Sequence, residues 1–293
     1  MAPRRVTVGL VQMAARDGRE RSLGHALGGV REAHARGARV ICLGELFTCP
    51  YFCRVEDPDH FRWAEPIPGP TTQAVSEVAA ELGVVVITPV FERRSAGLYH
   101  NTAVVIGPRG ERLGLYRKMH IPHDPQFYEK YYFAPGDLGF VTVETPFGRI
   151  APLICYDQWF PEAARLSALG GAEILFYPTA IGWLPTEKTE FGASQLAAWQ
   201  TIHQGHAIAN GVFVAAVNRV GVEGDAERGI EFWGHSLVCD PLGNVVAEAG
   251  LEGQVLVVEC DLEAVERARL SWPFLRDRRV DAYAGLTARF SEH

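Results

Sequence analysis

A chain of 293 residues with 47% hydrophobic and 22% charged content can bury a sizeable core, which excludes a disordered chain. Its net charge of −7, with no long run of Lys or Arg, argues against a nucleic-acid-binding surface, and no apolar stretch reaches the length of a membrane span. The six cysteines, Cys42, Cys49, Cys53, Cys155, Cys239 and Cys260, lack paired zinc-like spacing. The apolar run at 6–11 is too short for a secretory signal, so a cytoplasmic protein with reduced thiols is expected.

Strand signals at 6–11 and 39–43 flank an Ala-, His- and Arg-rich helix over 20–36. Residues 71–82 carry a helical pattern, and 84–91 is a continuous apolar strand. Strands at 102–106 and 112–116, joined by Gly107-Pro108-Arg109-Gly110, read as a hairpin. A short apolar strand over 149–154 leads into Cys155, and Pro161-Glu162 then starts a helix over 161–169, since Pro tolerates the first turn and Glu suits its positive end. Strands at 173–177 and 212–218 flank a helix over 194–210. The polar stretch 221–229 is expected to be a surface loop, and Asp240-Pro241-Leu242-Gly243-Asn244 turns a second hairpin. Crossovers mixed with hairpins predict an α/β fold of mixed sheets with helices outside, organised as one domain over 1–293.

Three segments place a chemically useful group just past a strand. Cys155 lies in a strand–turn–helix setting where backbone N–H groups lower a thiol pKa or hold an oxyanion; a buried structural cysteine fits the same local sequence. Glu45 follows Val40-Ile41-Cys42-Leu43-Gly44, and an acid among apolar neighbours suits proton transfer, although an ordinary surface carboxylate is the alternative. Lys118 follows the hairpin strand, either as a fixed ammonium for an oxyanion or as a solvated lysine. Together they supply a base, an electrophilic stabiliser and a nucleophile.

Gly44-Glu45-Leu46-Phe47, Arg117-Lys118-Met119-His120-Ile121-Pro122 and the run Cys155-Tyr156-Asp157-Gln158-Trp159-Phe160-Pro161-Glu162, in this order, resemble the nitrilase (carbon–nitrogen hydrolase) superfamily. The resemblance implies a four-layer α-β-β-α sandwich with two mixed β-sheets and a Glu45–Lys118–Cys155 triad. Within that superfamily, Thr48-Cys49-Pro50-Tyr51-Phe52-Cys53, the stretch from Tyr128 to Asp137, and Asp157-Gln158-Trp159-Phe160-Pro161-Glu162 with Tyr177-Pro178-Thr179-Ala180-Ile181-Gly182-Trp183 resemble the N-carbamoylputrescine amidohydrolase branch. Glu129 matches an additional active-site Glu that positions Lys118 and the substrate. Two positions depart from the branch: Tyr156 stands where it commonly has Trp, and His123 where it commonly has Asp.

The resemblance implies acyl transfer without a cofactor, in which Cys155 attacks the carbamoyl carbon, Glu45 moves the protons, and Lys118 with the backbone N–H of Tyr156 holds the oxyanion. It also implies a small carbamoyl amine as substrate, with an N-carbamoyl amino acid, another amide or a nitrile as the alternative within the superfamily, and a homo-oligomer, a dimer or larger. Tyr51, Tyr156, Trp159 and Trp183 are candidates for lining the pocket, with aromatic core as the alternative for the first, third and fourth. Glu187 or Glu190 is a candidate partner for a distal amine, with an exposed loop carboxylate as the alternative. A metal-dependent hydrolase would have to gather His120, His123, His203 and His206; only His203 and His206 share a helix face, and two ligands do not complete a site. A non-catalytic protein on the same fold would have lost a member of the triad, and all three are present.

Overall fold

The computed structural model describes residues 4–225 and 228–290. Two six-stranded sheets form its centre. The first runs Gln254–Asp261, Arg5–Gln12, Val40–Leu43, Val85–Ser95, Leu98–Ile106, Arg112–Arg117 across its width, and the second runs Val245–Glu248, Leu237–Cys239, Phe213–Val217, Ile174–Pro178, Gly148–Pro152, Val143–Thr145. Both mix parallel and antiparallel pairs. Helices Arg19–Ala35 and Pro70–Leu82 cover the first sheet, and Pro161–Leu169 and Lys188–Asn210 cover the second.

The layering follows from the two-residue period of a strand whose faces are both buried. Val40 and Cys42 enter the core between the sheets, while Ile41 and Leu43 meet the helical layer. Val85 and Ile87 alternate with Val84 and Val86 in the same way, as do Ala103 and Val105 with Val104 and Ile106. The fold is therefore the α-β-β-α sandwich with two mixed sheets that the resemblance implied.

Both expected hairpins form, around Gly107 and around Asp240–Asn244 as the turn between Leu237–Cys239 and Val245–Glu248. Two expectations need correction. The helix placed at 194–210 begins at Lys188; Glu190 in its first turn suits the positive end that the polar sequence masked. The stretch 221–229 is not wholly loop: Val220–Glu223 pairs antiparallel with Ile230–Trp233, which also pairs with Gly182–Trp183. Its polar residues mislead because Glu223 faces a buried arginine, described below. Among the described residues no helix is long and apolar enough to cross a membrane.

Direction of the strands decides where chemistry gathers. Arg112–Arg117 is antiparallel to Leu98–Ile106, which is antiparallel to Val85–Ser95, itself parallel to Val40–Leu43. Glu45 and Lys118 therefore leave their strands at the same end of the first sheet.

Candidate active site

Glu45 lies two residues past Val40–Leu43 and is wholly buried. Its Oε1 accepts hydrogen bonds from Lys118 Nζ at 2.8 Å and from Asn101 Nδ2 at 2.7 Å, while Oε2 has no partner among the described residues. Arg219 pins the backbone that carries it. This buried guanidinium donates to the carbonyls of Glu45 (3.1 Å), Leu46 (2.9 Å) and Cys49 (3.1 Å), and to Glu223 Oε1 (2.6 Å). Leu46 has a φ of 49°, a conformation an L-residue keeps only when its surroundings over-determine it.

Lys118 follows Arg112–Arg117 and is also fully buried. Its Nζ donates to Glu45 and to Glu129 Oε2 at 2.7 Å. An ammonium has three donors, so one remains for a substrate oxygen. Burial alone would push its pKa down, but the carboxylates of Glu129 and Glu45 outweigh burial and hold it well above the usual lysine range. The strand end is fixed by Arg117, whose guanidinium forks onto Glu92 with two bonds of 2.8 Å. The amide of Gly136 donates to Lys118 O at 2.8 Å, and a Cβ on Gly136 would lie 2.1 Å from Arg117 O; only glycine permits this approach.

Glu129 opens a short helix, Glu129–Tyr132. Burial pushes its carboxyl up to about 7, against the pull of the Lys118 charge and with the Glu45 charge adding to the rise. Tyr51 donates to Glu129 Oε1 at 2.7 Å and favours the ionised form.

Cys155 follows Gly148–Pro152 and begins a tight turn, Cys155–Trp159, ahead of helix Pro161–Leu169. Its φ of 42° is left-handed, so the nucleophile candidate sits in a strained backbone of the kind that clusters at functional sites. Burial raises its thiol pKa well above the usual value; the charges of Glu45 and Glu129 add to that, and Lys118 and a backbone hydrogen bond at Ala180 oppose it. The resting sulfur is therefore a thiol, and attack needs a base.

A cavity of about 320 Å³ opens onto this cluster, a size suited to a small molecule. Cys155, Glu129, Tyr156, Gln158, Trp159, Trp233 and Leu184 line it, with Asp124 and Glu187 as further carboxylates. Among the described lining residues there is no Lys, Arg or His. Gln158 Nε2 and Trp233 Nε1 are buried donors with no acceptor among the described residues.

The structure brings Glu45, Lys118 and Glu129 into one hydrogen-bonded group within the electrostatic field of Cys155. Tyr156, Trp159 and Glu187 line the cavity. Tyr51 does not: it is fully buried behind Glu129, because its hydroxyl is drawn to the carboxylate and its ring packs on Phe127 and Phe232. Trp183 is also outside the lining; its Nε1 donates to Gly192 O at 2.9 Å and its ring packs on Trp233. Glu190 is exposed on the helix. His123 is exposed as well, 3.8 Å from Glu56, whereas its neighbour Asp124 faces the cavity.

The four histidines engage in separate contacts: His120 with Asp157, His123 near Glu56, His203 edge-on to Trp199, and His206 donating to Gln158 O at 2.7 Å. Among the described residues no three His, Cys, Asp or Glu side chains converge on a point suited to a metal. Sequence reasoning missed Asp124, Asn101, Arg219 and Asp157. The one available signal was a charged residue inside an otherwise apolar segment, as at Arg219 after 212–218.

A model of the Carbon-nitrogen hydrolase family matches residues 7–270. The chain belongs to the carbon–nitrogen hydrolase family. It is 44% identical over 288 residues to the N-carbamoylputrescine amidase of Solanum lycopersicum, covering 96% of this chain and 94% of that protein. Citrullinase of Francisella tularensis is 34% identical over 287 residues, covering 97% of this chain and 99% of that protein. The crystal structure of a carbon–nitrogen hydrolase from Helicobacter pylori G27 superposes with a TM-score of 0.95 at 44% identity, covering 98% of this chain and 100% of the other. Membership of this hydrolase family agrees with a buried acid–lysine–acid group beside a cysteine at the end of a small cavity.

Proposed function

We propose that this hydrolase cleaves the carbamoyl C–N bond of N-carbamoylputrescine, giving putrescine, CO2 and ammonia. The observation that carries the substrate is the charge of the cavity: Cys155 and Glu129 at one part, Asp124 and Glu187 elsewhere on the wall, and no cation among the described lining residues. A terminal ammonium needs such carboxylates, because a buried unpaired charge is costly. A terminal carboxylate needs Arg or Lys instead. The 41–44% identity to four plant N-carbamoylputrescine amidases supports the same substrate.

In this reading Glu45 takes the Cys155 proton as sulfur attacks the carbamoyl carbon. The developing oxyanion is met by the remaining Lys118 N–H and the backbone N–H of Tyr156. Glu45 gives its proton to the leaving nitrogen as the C–N bond breaks, leaving a carbamoyl thioester on Cys155. Glu45 then takes a proton from water as the water attacks the thioester carbon, and the sulfur leaves as thiolate and recovers that proton; the carbamic acid released breaks its C–N bond to give CO2 and ammonia. Glu129 holds Lys118 in register and faces the substrate. A cytoplasmic setting is part of this reading, supported by six unpaired cysteines. So is a homo-oligomer, a dimer or larger, supported by exposed apolar side chains such as Leu166, Leu169, Trp272, Leu286 and Phe290; sedimentation at the monomer mass would remove that part.

The test is the ratio of kcat/KM for N-carbamoylputrescine over N-carbamoyl-β-alanine. A wild-type ratio above one, lowered in Asp124→Asn and Glu187→Gln, is expected. A ratio favouring the carboxylate substrate would overturn the diamine assignment.

A further inference from the structure

Asp157 is wholly buried, two residues after Cys155. A carboxylate in that position is tolerable only if its oxygens are supplied with donors, and four are present. Oδ2 accepts from the backbone N–H of Ile154 at 3.0 Å and from Tyr116 Oη–H at 2.7 Å. Oδ1 accepts from the backbone N–H of His120 at 3.1 Å and from His120 Nδ1 at 2.8 Å.

The sequence positions of these donors give the arrangement its meaning. Tyr116 and His120 stand two residues before and two residues after Lys118, and Ile154 directly precedes Cys155. One carboxylate therefore ties both flanks of the lysine to the turn that presents the cysteine. The two segments belong to different sheets, so no backbone ladder holds them in register. A second link crosses the same gap: the His120 ring stacks on Phe160, with centroids 3.7 Å apart and planes within 3°. That stack keeps the imidazole from swinging away from Asp157. The left-handed backbone of Cys155, φ 42°, needs such external restraint to persist.

We propose that Asp157 is a positioning residue that sets the separation between Lys118 and Cys155, and with it the fit of the oxyanion between the ammonium and the sulfur-bearing turn. This rests on the reading that Cys155 and Lys118 carry the chemistry. Asparagine at 157 has the same shape but one acceptor oxygen in place of two, so one pair of donors would meet an NH2 group. A displacement of about 1 Å in such a site can cost roughly 10²-fold in rate.

The experiment compares Asp157→Asn, Tyr116→Phe and Cys155→Ala with wild type on N-carbamoylputrescine. Rates are normalised to folded protein by circular dichroism, and Cys155 alkylation by iodoacetamide is timed alongside. The expected result is a kcat lowered roughly 10²-fold in Asp157→Asn and less in Tyr116→Phe. KM should stay near wild type, and Cys155 alkylation should change in rate in both variants. Tyr116→Phe removes a single hydroxyl and carries the test if Asp157→Asn does not fold. A wild-type kcat per folded molecule in the surviving variant, with only thermal stability lowered, would make Asp157 merely structural and overturn the proposal. In that case Cys155→Ala would still be inactive. Turnover by Cys155→Ala would instead overturn the underlying reading, and this proposal with it.

Discussion

Replacing Tyr51 with phenylalanine removes one hydroxyl from behind the candidate site, at a residue that does not itself line the cavity. That hydroxyl donates to Glu129 Oε1 at 2.7 Å, and both residues are fully buried. A hydrogen bond to a charged group contributes about 1.5–3 kcal/mol, against about 0.5–1.5 kcal/mol for a neutral pair. The bond therefore favours ionised over protonated Glu129 by about 1–1.5 kcal/mol, which is about one pKa unit. Burial has already pushed Glu129 up to about 7, so losing the bond moves it further up. If ionised Glu129 is what holds Lys118 Nζ at 2.7 Å, kcat/KM should rise with pH along a one-proton limb centred at about 7 in the wild type. In Tyr51→Phe the limb should sit about one unit more alkaline.

The assay is the initial rate of ammonia release from N-carbamoylputrescine over roughly pH 5–9 at fixed ionic strength, with Glu129→Gln as the control that abolishes the limb. Stability runs the opposite way with pH. The folded state holds the Glu129 proton more tightly than the ordinary value of 4.5, so this group's contribution is complete below about 4.5 and is lost as pH rises through about 7. An unmoved limb in Tyr51→Phe, with the rate lowered equally at every pH, would refute the reasoning.

Cys155→Ala should fold and lose roughly 10⁴–10⁶-fold in kcat; because Cys155 keeps 7% exposure and the other cysteines 1% or none, iodoacetamide should map to it first and substrate should block the label. Arg117→Met should destabilise by about 3–5 kcal/mol in urea unfolding, because it strands the buried Glu92 carboxylate without its forked partner; a loss below about 1 kcal/mol would show that Glu92 finds another partner. Asp124→Asn and Glu187→Gln should each lower kcat/KM for the diamine substrate by about tenfold, equivalent to about 1.4 kcal/mol, and leave the turnover of a neutral carbamoyl amine unchanged. Exhaustive chelation should not alter the rate, and activity lost with zinc and regained on its return would favour a metallohydrolase.

The linear sequence determined what each segment is and where its reactive group falls. Alternation in Val40-Ile41-Cys42-Leu43 follows from the two-sided burial of a strand, and Pro161-Glu162 marks the helix start after Cys155 through local backbone chemistry. Glu45, Lys118 and Cys155 were legible because each directly follows such a local element. Contacts across the sandwich were not legible, because they depend on residues far apart in the chain and on the direction a side chain takes. Tyr51 reads as a pocket aromatic, yet its hydroxyl turns inward to Glu129. The polar run after Val220 reads as loop, yet Glu223 and Arg219 clamp the Glu45 turn across a separation of more than 170 residues. Asp124 and His123 are neighbours in sequence, and only the fold decides which one faces the cavity. Burial belongs to the same class. A lone glutamate, lysine or cysteine in a sequence carries its ordinary acidity, and it is the packing of two sheets around Lys118, Glu129 and Cys155 that removes water and lets their charges act on one another.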